Sequence, residues 1–348
     1  MASVGLAPSR ADLHLMRFAT RHLVKPVVLL AVELAAYLSC VAIAVTASAL
    51  AVKLLASVAA GVLTATLAII GHDCAHRGGT RFQSLNRLIA TIGFLPALHP
   101  LSRWEYHHNQ VHHRYTAQLG RDNAFPPMTV DEYRDASGAA RVYYRFLRSL
   151  WGQPLFYLVQ IWAKDIIVPR RGQFKPRDWF DFGLVCLWLL ALFAGGAVLS
   201  RQFHSGQSWT AAFANVALFG LAIPFLIWNL FISFVTVVQH TGPDVRWSIP
   251  NGRPSNFEQK LRGTVRIRFP EPIDILFHRL MQHPAHHLNP IVPLYSLKGA
   301  QHRLEDLDPE GLMVVRWTPD YHRRLTRACK LYDPNRDGWC DFQYRPTA

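Results

Sequence analysis

The stretch WEYHHNQVHHRYT, Trp104–Thr116, is the sequence around which the rest of the chain has to be arranged. It places His108, His112 and His113 within one short segment. On an α-helix, residues four apart lie on one face, and the next residue is rotated by about 100°. We therefore expect His108 and His112 to point into one cavity, with His113 at its edge.

Two further histidine clusters repeat this arrangement: His72 and His76 in GHDCAH, and His283, His286 and His287 in HPAHH. A single histidine on an apolar helix is more often a hydrogen-bonded core residue than a ligand. Three clusters at helical spacing, each beside apolar segments, are difficult to explain in that way. Because neutral imidazole is the commonest metal ligand and suits iron, copper, nickel and zinc, the clusters predict a metal site.

The composition indicates a membrane protein in a reducing compartment. Of the 348 residues, 50% are hydrophobic. The formal net charge of +14 comes from basic residues spread over the loops, which suits anionic lipid headgroups or an acidic redox partner better than nucleic acid. An odd number of cysteines without framework spacing argues against a disulfide scaffold. They are Cys40, Cys74, Cys186, Cys329 and Cys340.

Long apolar segments predict four membrane spans. Residues 26–70 are almost uninterrupted Val, Leu, Ile and Ala, enough for two spans joined near residues 46–53. Residues 180–200 and 211–238 make a third and a fourth span, the latter expected to kink at Pro224. Glu33 lies inside the first span, where a carboxylate is either functional or in contact with headgroups.

Two shorter apolar pieces predict helices at the membrane surface. Residues 85–98 are too short to span and are broken by Pro96, so we expect an interfacial or re-entrant helix. Residues 143–162 are aromatic-rich and amphipathic, which favours a helix on the membrane face.

The charge distribution predicts the topology. The short connections near residues 46–53 and 201–209 are poor in Lys and Arg, whereas the N-terminal, middle and C-terminal segments are rich in them. By the positive-inside rule both termini are cytoplasmic, so all three clusters and His240 lie on one side. We expect a basic cytosolic segment (1–25), a membrane domain of two helical hairpins with a cytosolic insert carrying the first two clusters (26–240), and a cytosolic part carrying the third (241–348).

Nine candidate ligands, the eight clustered histidines and His240, exceed what one zinc ion takes. Soluble di-iron bundles use Glu and Glu-x-x-His sets, and that carboxylate pattern is absent from the sequence. An all-imidazole shell around two irons that bind and reduce O2 is the remaining interpretation. The sequence favours O2-dependent oxidation over hydrolysis, because it has no HExxH motif to supply the glutamate base of a metalloprotease.

The sequences GHDCAH, HNQVHH, QHTGPDV and FHRLMQHPAHHLNPIVPLY, with LYD and WCDF near the end, resemble the membrane fatty-acid desaturases over residues 26–343. The likeness is greatest to bacterial acyl-lipid members of the delta-12/omega-6 branch. It implies an all-α integral membrane protein of the bacterial plasma membrane, with four transmembrane helices and a cytosolic helical cap that carries a di-iron site. That centre would use O2 and two electrons to remove two hydrogens from adjacent methylenes of an acyl chain. The implied metal ligands are His72, His76, His108, His112, His113, His240, His283, His286 and His287.

Several residues near the boxes are not assigned as ligands. His107 stands where the family has a non-ligand, so we expect it to be spare. Arg279 follows His278 where relatives have an asparagine, and His278 is left out of the ligand set. Asp73 and Asp122 could orient ligand imidazoles, or could be ordinary surface or loop residues.

Weaker signals complete the prediction. Residues 333–338 imitate the start of an EF-hand loop, but position twelve is Tyr344 instead of Glu, so we expect a turn. The histidines without partners at ligand spacing are expected to face solvent: His14, His22, His99, His204, His302 and His322. Tryptophans that flank apolar segments are expected to form interface belts: Trp104, Trp162, Trp179 and Trp247.

The expected partners follow from the same resemblance. The substrate is a fatty acyl lipid or thioester held in the membrane. Because no haem-binding HPGG motif is fused to the chain, electrons are expected from a separate donor: a ferredoxin, with a cytochrome b5 as the alternative. The same boxes also serve hydroxylases, epoxygenases and carotenoid oxygenases, which form the main alternative. A membrane metal-binding or metal-transport protein is the distant one.

Overall fold

The computed structural model describes residues 14–168 and 174–347 and is mostly helical. Within those residues, four helices are long and apolar enough to cross a membrane. They are α1 (Val24–Thr46), α2 (Leu50–Ala75), α7 (Pro176–Phe203) and α8 (Trp209–His240). The predicted number and order of spans is therefore confirmed by length and composition. Residues 1–13 of the basic N-terminal segment and residues 169–173 of the middle segment lie outside the described part.

The chain divides into two compact units. The span unit contains His22–Glu105 and Trp162–Ile232. The histidine unit contains residues 14–21, Tyr106–Ile161 and 233–347. The three-part division by membrane side remains a prediction, because these units reflect contacts and not topology.

In the span unit, two short helices follow α2: α3 (Gln83–Phe94) and α4 (Leu101–Glu105). The predicted helix near residues 85–98 is thus present, and its interfacial position stays a prediction. A Cβ on Gly93 would lie 2.6 Å from the backbone oxygen of Leu67 and 3.2 Å from the backbone of Gly71. Glycine therefore lets α3 approach the last turns of α2, directly before His72.

A buried carboxylate fixes α4. Asp181, near the start of α7, accepts a hydrogen bond from the backbone N–H of Ser102 at 2.8 Å and pairs with Arg87 at 2.7 Å. The first turn of a helix has free N–H groups, so a carboxylate there satisfies a donor and favours the helix dipole. α4 thereby has a fixed start, and the chain continues from it into a π-helix over Tyr106–His112.

The helix α8 is wound as a π-helix over Val216–Ala222, just before Pro224. Proline lacks an N–H and disturbs the helical hydrogen bonds of the preceding turn. A locally wider turn is one way for a helix to accommodate such a break. The disturbance expected at Pro224 takes this form.

The histidine unit is built from short elements. Its helices are α5 (Val130–Asp135), α6 (Gly138–Leu147), α9 (Phe257–Arg262), α10 (Glu271–Leu276), α11 (His283–Leu288), α12 (Leu297–Leu307) and α13 (Pro319–Ala328). A further π-helix, Tyr157–Ile167, continues from it into the span unit. The amphipathic helix expected at residues 143–162 corresponds to α6 and this π-helix, and its contact with the membrane stays a prediction.

The all-α prediction is wrong in one respect, because the histidine unit contains two small sheets. Strands β1 (Val265–Arg268) and β2 (Met313–Arg316) pair in parallel, with Val265 opposite Met313. Strands β3 (Leu331–Asp333) and β4 (Gly338–Cys340) pair antiparallel, with Leu331 opposite Cys340. The EF-hand-like residues are the turn of this hairpin, as predicted, and Asp337 adopts a φ of 48° there.

Replacing Gly93 by alanine tests the close approach of α3 to α2. Overpacking against backbone atoms costs about 1–3 kcal/mol, against about 1 kcal/mol gained in helix propensity. We expect Gly93→Ala to lower the apparent unfolding temperature in detergent micelles. Gly183→Ala is the matched control, because a Cβ there meets no atom within 4 Å. Equal thermal stability of the two variants would contradict the packing described.

Candidate metal centre

The central cluster lies on the π-helix that follows α4. In a π-helix the hydrogen bonds run from residue i to i+5, and the N–H of His113 donates to the carbonyl of His108 at 2.9 Å. The wider turn places His113 beside His108, with their Nε2 atoms 3.1 Å apart. The rings of His108 and His112 are neighbours, with centroids 5.4 Å apart, but their ligand nitrogens belong to two different groups. The α-helical spacing assumed from the sequence does not hold in this segment.

His112 joins a different group of four buried histidines. It meets His240 at the end of α8, and His283 and His287 on α11, with one ligand atom of each within 4.8 Å of the others. The Nε2 atoms of His112 and His287 are 3.1 Å apart, and those of His240 and His283 are 2.8 Å apart. Three separate chain segments thus bring four imidazoles to one point.

Hydrogen bonds on the far side of these rings decide which nitrogen carries the proton. The Nδ1 of His112 faces Asp122 Oδ1 at 2.7 Å, and the Nδ1 of His240 faces the carbonyl of Gly263 at 3.1 Å. A carboxylate or carbonyl oxygen only accepts, so each Nδ1 donates. In the neutral ring the Nε2 atom then carries a lone pair directed at the group.

Thr116 fixes His287 in the same way. Its hydroxyl donates to the carbonyl of His112 at 2.9 Å, so its oxygen accepts from His287 Nδ1 at 3.1 Å. Burial, followed by the neighbouring His283 and His112, lowers the pKa of His287 well below its ordinary value. His287 is therefore a neutral ring whose Nε2 lone pair faces that of His112.

A second group in the histidine unit contains His108, His113 and His286. The Nε2 atom of His286 lies 3.1 Å from that of His113, which is itself 3.1 Å from that of His108. His113 and His286 are buried, at 6% and 3% exposure. His286 and His287 are neighbours on α11, so the third box contributes to both groups.

The first box lies in the span unit. His72 and His76 are one helical turn apart at the end of α2, with ring centroids 4.7 Å apart. The indole of Trp104 packs edge-on against both rings, at 5.4 Å and 6.1 Å. Trp104 is buried at 6% exposure, and so is Trp247 at 2%, so the prediction that these two form an interface belt is wrong.

The short helix α11 is held by polar contacts at its beginning. Its Ala285 N–H donates to Gln301 Oε1 at 3.0 Å, and the preceding Gln282 donates to Asp274 at 3.0 Å. Asp274 also pairs with Arg279 at 2.6 Å. Arg279, the unexpected residue of this box, therefore stabilises the segment before His283.

Asp122 is not an ordinary surface residue, because it is buried and contacts the imidazole of His112, a candidate ligand. Its side chain is 0% exposed. It accepts from His112 and from the N–H groups of Ala117 and Ala124, at 2.7 Å and 3.0 Å. Burial alone would raise the pKa of Asp122, but the hydrogen bonds from His112 and from the Ala124 N–H hold it below its ordinary value. The group is thus a carboxylate.

The carbonyl that contacts His240 belongs to a glycine, Gly263, which can pack closely against its neighbours. Gly263 follows α9, and a Cβ on it would lie 2.5 Å from the Cβ of Ala117 and 3.0 Å from the backbone oxygen of Gln259. Sequence reasoning missed both Gly263 and Thr116. Thr116 follows His112 by four residues, a spacing that could have indicated it, whereas a backbone carbonyl leaves no signal in the sequence.

Other candidates lie outside the two groups found among the described residues. His107 packs against Tyr106 and is not a member of either group, and His278 is likewise outside them. That His107 is spare stays a prediction. The prediction that His99 faces solvent is wrong, because it is 1% exposed and its Nδ1 contacts the carbonyl of Ala97 at 2.6 Å. Burial lowers the pKa of His99 to about 4.

The donor set fits a metal that prefers imidazole. Adjacent nitrogens on one ion, at metal–nitrogen distances of about 2.1 Å, are about 3 Å apart, as are the Nε2 atoms of His112 and His287 at 3.1 Å. Two buried lone pairs at that distance repel unless a cation lies between them or beside them. All-imidazole sets of this kind suit iron, copper, nickel and zinc, and geometry alone does not choose among them.

Comparison with known proteins gives consistent matches. Residues 48–319 match the family profile described as fatty acid desaturase. The chain is 29% identical over 273 residues to an sn-1 oleoyl-lipid 12-desaturase of Picosynechococcus sp., covering 76% of this chain and 72% of that protein. It is 28% identical over 266 residues to the Synechocystis sp. protein of the same name, with the same coverage. It is 25% identical over 274 residues to the chloroplastic omega-6 fatty acid desaturase of Glycine max, covering 78% of this chain and 61% of that protein.

Asp122→Asn tests whether the carboxylate prepares His112 to bind metal. An amide can still accept from Nδ1–H but brings no charge, and losing such a partner weakens metal affinity by about 10–100-fold. We expect a loss of that size for Co(II) in a competition titration. Asp131→Asn is the control, because the Asp131 side chain is 74% exposed and pairs with Arg134 on the same helix. Equal affinities of Asp122→Asn and the unmodified protein would contradict the assignment.

Proposed function

Because the chain belongs to the fatty acid desaturase family, we propose that it is a membrane-bound acyl-lipid desaturase of the delta-12, or omega-6, type. It is an oxidoreductase that acts on fatty acyl chains and an integral membrane protein with four apolar helices. The delta-12 position is proposed from the relatives, two of which are named as oleoyl-lipid 12-desaturases. The observation that carries the proposal is the convergence of His112, His240, His283 and His287.

The proposed metal site is a di-iron centre held by nine histidines. Seven of them form the two groups of the histidine unit: His108, His112, His113, His240, His283, His286 and His287. His72 and His76 of α2 are added because they match the first box of the family. When bound, the two irons would supply activation of O2 and the oxidising power to remove two hydrogens from adjacent methylenes.

The chain's own residues prepare this chemistry. Asp122, Thr116 and the Gly263 carbonyl hold protons on the outer nitrogens of three rings, and so keep the inner nitrogens free to bind. Because the rings are fixed before metal or substrate arrives, little reorganisation is needed in the reaction. The rings of His112, His240, His283 and His287 are all buried, at 4% exposure or less, which excludes bulk water from them.

The position in the membrane and the electron donor are also proposals. Lys and Arg are concentrated in the segments that carry the boxes, which supports a cytoplasmic centre with both termini inside. The net charge of +14 supports an acidic donor protein, for which a ferredoxin is the first candidate and a cytochrome b5 the alternative. The substrate is proposed to be an acyl lipid of the membrane.

The activity is tested by a lipid profile after expression in a host rich in oleoyl chains, with a ferredoxin and its reductase co-expressed. We expect a linoleoyl chain to appear in the gas chromatography–mass spectrometry trace. His240→Ala should insert in the membrane but give no diene, because it removes one of the converging rings. His302→Ala is the matched control and should keep full activity, since His302 is exposed on α12.

The other outcomes of this profile are equally specific. A hydroxylated or epoxidised acyl chain would keep the metal site and move the protein to the hydroxylase alternative. A diene at another position would refute the delta-12 type while keeping desaturation. Full activity of His240→Ala would remove that residue from the ligand set.

The charge of the donor is tested by salt. Attraction between oppositely charged proteins speeds their encounter and is screened over about 8–10 Å at physiological ionic strength. We therefore expect kcat/KM for a ferredoxin to fall by roughly tenfold or more between low salt and 0.3 M NaCl, since steered association is steeply salt-dependent. The kcat value at saturating donor is the control and should change little. A flat response of kcat/KM would argue against an acidic donor.

A further inference from the structure

Arg148 is a buried cation outside the metal groups. It follows α6, and its side chain is 1% exposed. Within residues 14–168 and 174–347, no carboxylate forms an ion pair with it. Burying an unpaired charge is costly, so a residue of this kind is retained only where its contacts compensate for the lost water.

Backbone carbonyls and aromatic rings replace the missing carboxylate. The guanidinium Nη2 donates to the carbonyl of Phe125 at 3.1 Å, and Nη1 faces the carbonyl of Cys329 at 3.5 Å. The guanidinium carbon lies 4.0 Å from the ring centroid of Phe125 and 5.9 Å from that of Trp339. A planar guanidinium has several donors in a fixed fork, so it can hold two carbonyls and stack on rings at once.

These contacts tie three segments of the histidine unit together. Phe125 ends the loop that begins at Asp122, Cys329 leads into β3, and Trp339 lies in β4. The hairpin of β3 and β4 holds no histidine. Lys330 strengthens the connection, because its ammonium group donates to the carbonyl of Arg148 at 2.7 Å.

The loop held by Arg148 is the one that positions a ligand. Phe125 adopts a φ of 53°, a conformation that side chains seldom take without support from their surroundings. One residue earlier, the N–H of Ala124 donates to Asp122 Oδ1, the oxygen that accepts from His112. A shift of Phe125 would therefore move Asp122 and release His112 from its orientation.

We propose that Arg148 is a positioning residue of the metal centre, which fixes the loop 122–125 against the C-terminal hairpin and so holds Asp122 on His112. The inference rests on the proposed function, because it treats His112 as a metal ligand. It assigns a role to the hairpin residues LYD and GWC: they support the centre without binding metal.

Arg148→Met, which keeps the unbranched apolar part of the side chain and removes the guanidinium group, is the first variant to make. Two readouts are needed: backbone hydrogen exchange of residues 117–125 in the metal-free protein, and Co(II) affinity by competition titration. We expect exchange at Ala117 and Ala124 to rise about tenfold or more as the loop opens locally, and the affinity to fall about 10–100-fold.

Arg145→Met is the matched control. Arg145 lies in the last turn of α6, three residues before Arg148, donates to the hydroxyl of Tyr133 at 2.5 Å and stacks over Phe342 at 5.0 Å. Its contacts are thus with the same C-terminal segment and with Tyr133, and not with the loop 122–125, so its replacement should change neither readout. A loss equal to that of Arg148→Met would show general destabilisation and overturn the proposal.

A double variant separates positioning from stability. If Arg148 acts through Asp122, Arg148→Met should cause no further loss of affinity in the Asp122→Asn background. Additive losses, or normal exchange and affinity in Arg148→Met, would overturn the proposal.

If Arg148→Met does not fold, Arg148→Lys is the second variant, because it keeps the positive charge but not the forked guanidinium. Unchanged exchange and affinity in Arg148→Lys would also overturn the proposal. If the unmodified protein binds no metal, the proposed function fails, while the exchange measurement still shows whether Arg148 fixes the loop 122–125.

Discussion

The contact between His112 and His287 is the constraint on which the rest of the centre depends. Their Nε2 atoms lie 3.1 Å apart in a buried space, and the opposite nitrogens donate to Asp122 and Thr116. Two buried lone pairs that face each other are unfavourable, since each is an acceptor without a donor. A cation bound by both nitrogens would remove this conflict. The four imidazoles of this group could therefore hold a metal ion.

The short elements of the chain fix the positions of the histidine side chains. The π-helix separates His112 from His108 and His113, so one box serves two groups. Asp181 fixes the start of α4, and Gly93 lets α3 pack against α2 just before His72. In the histidine unit, Gly263 brings a carbonyl to His240. Ligands on separate elements keep a precise geometry only when each element is itself fixed, and these buried polar contacts supply that rigidity.

The spans and the ligand candidates could be predicted from the sequence because both have strong local signals. Twenty apolar residues in a row indicate a membrane helix, and histidines at short spacing indicate a metal site. The division of the histidines into two groups could not be predicted, because the α-helical period does not apply to Tyr106–His112, and a single turn of π-helix leaves no clear mark in the sequence. His99 was expected to face solvent because it has no partner at ligand spacing, and Trp104 was expected at the interface because it flanks an apolar segment, whereas tertiary packing buries both. The two small sheets were missed because their strands are only three or four residues long.

We propose that the histidine boxes hold two iron ions. The most direct test is the iron content per chain of protein purified without chelators, together with the Mössbauer spectrum of an iron-57 sample. We expect two irons per chain with Mössbauer parameters of nitrogen-rich, non-haem sites, and loss of iron in His287→Ala. One iron per chain, or a preference for zinc in the purified protein, would contradict the di-iron assignment. Normal iron content in His287→Ala would contradict the ligand geometry from which it was argued.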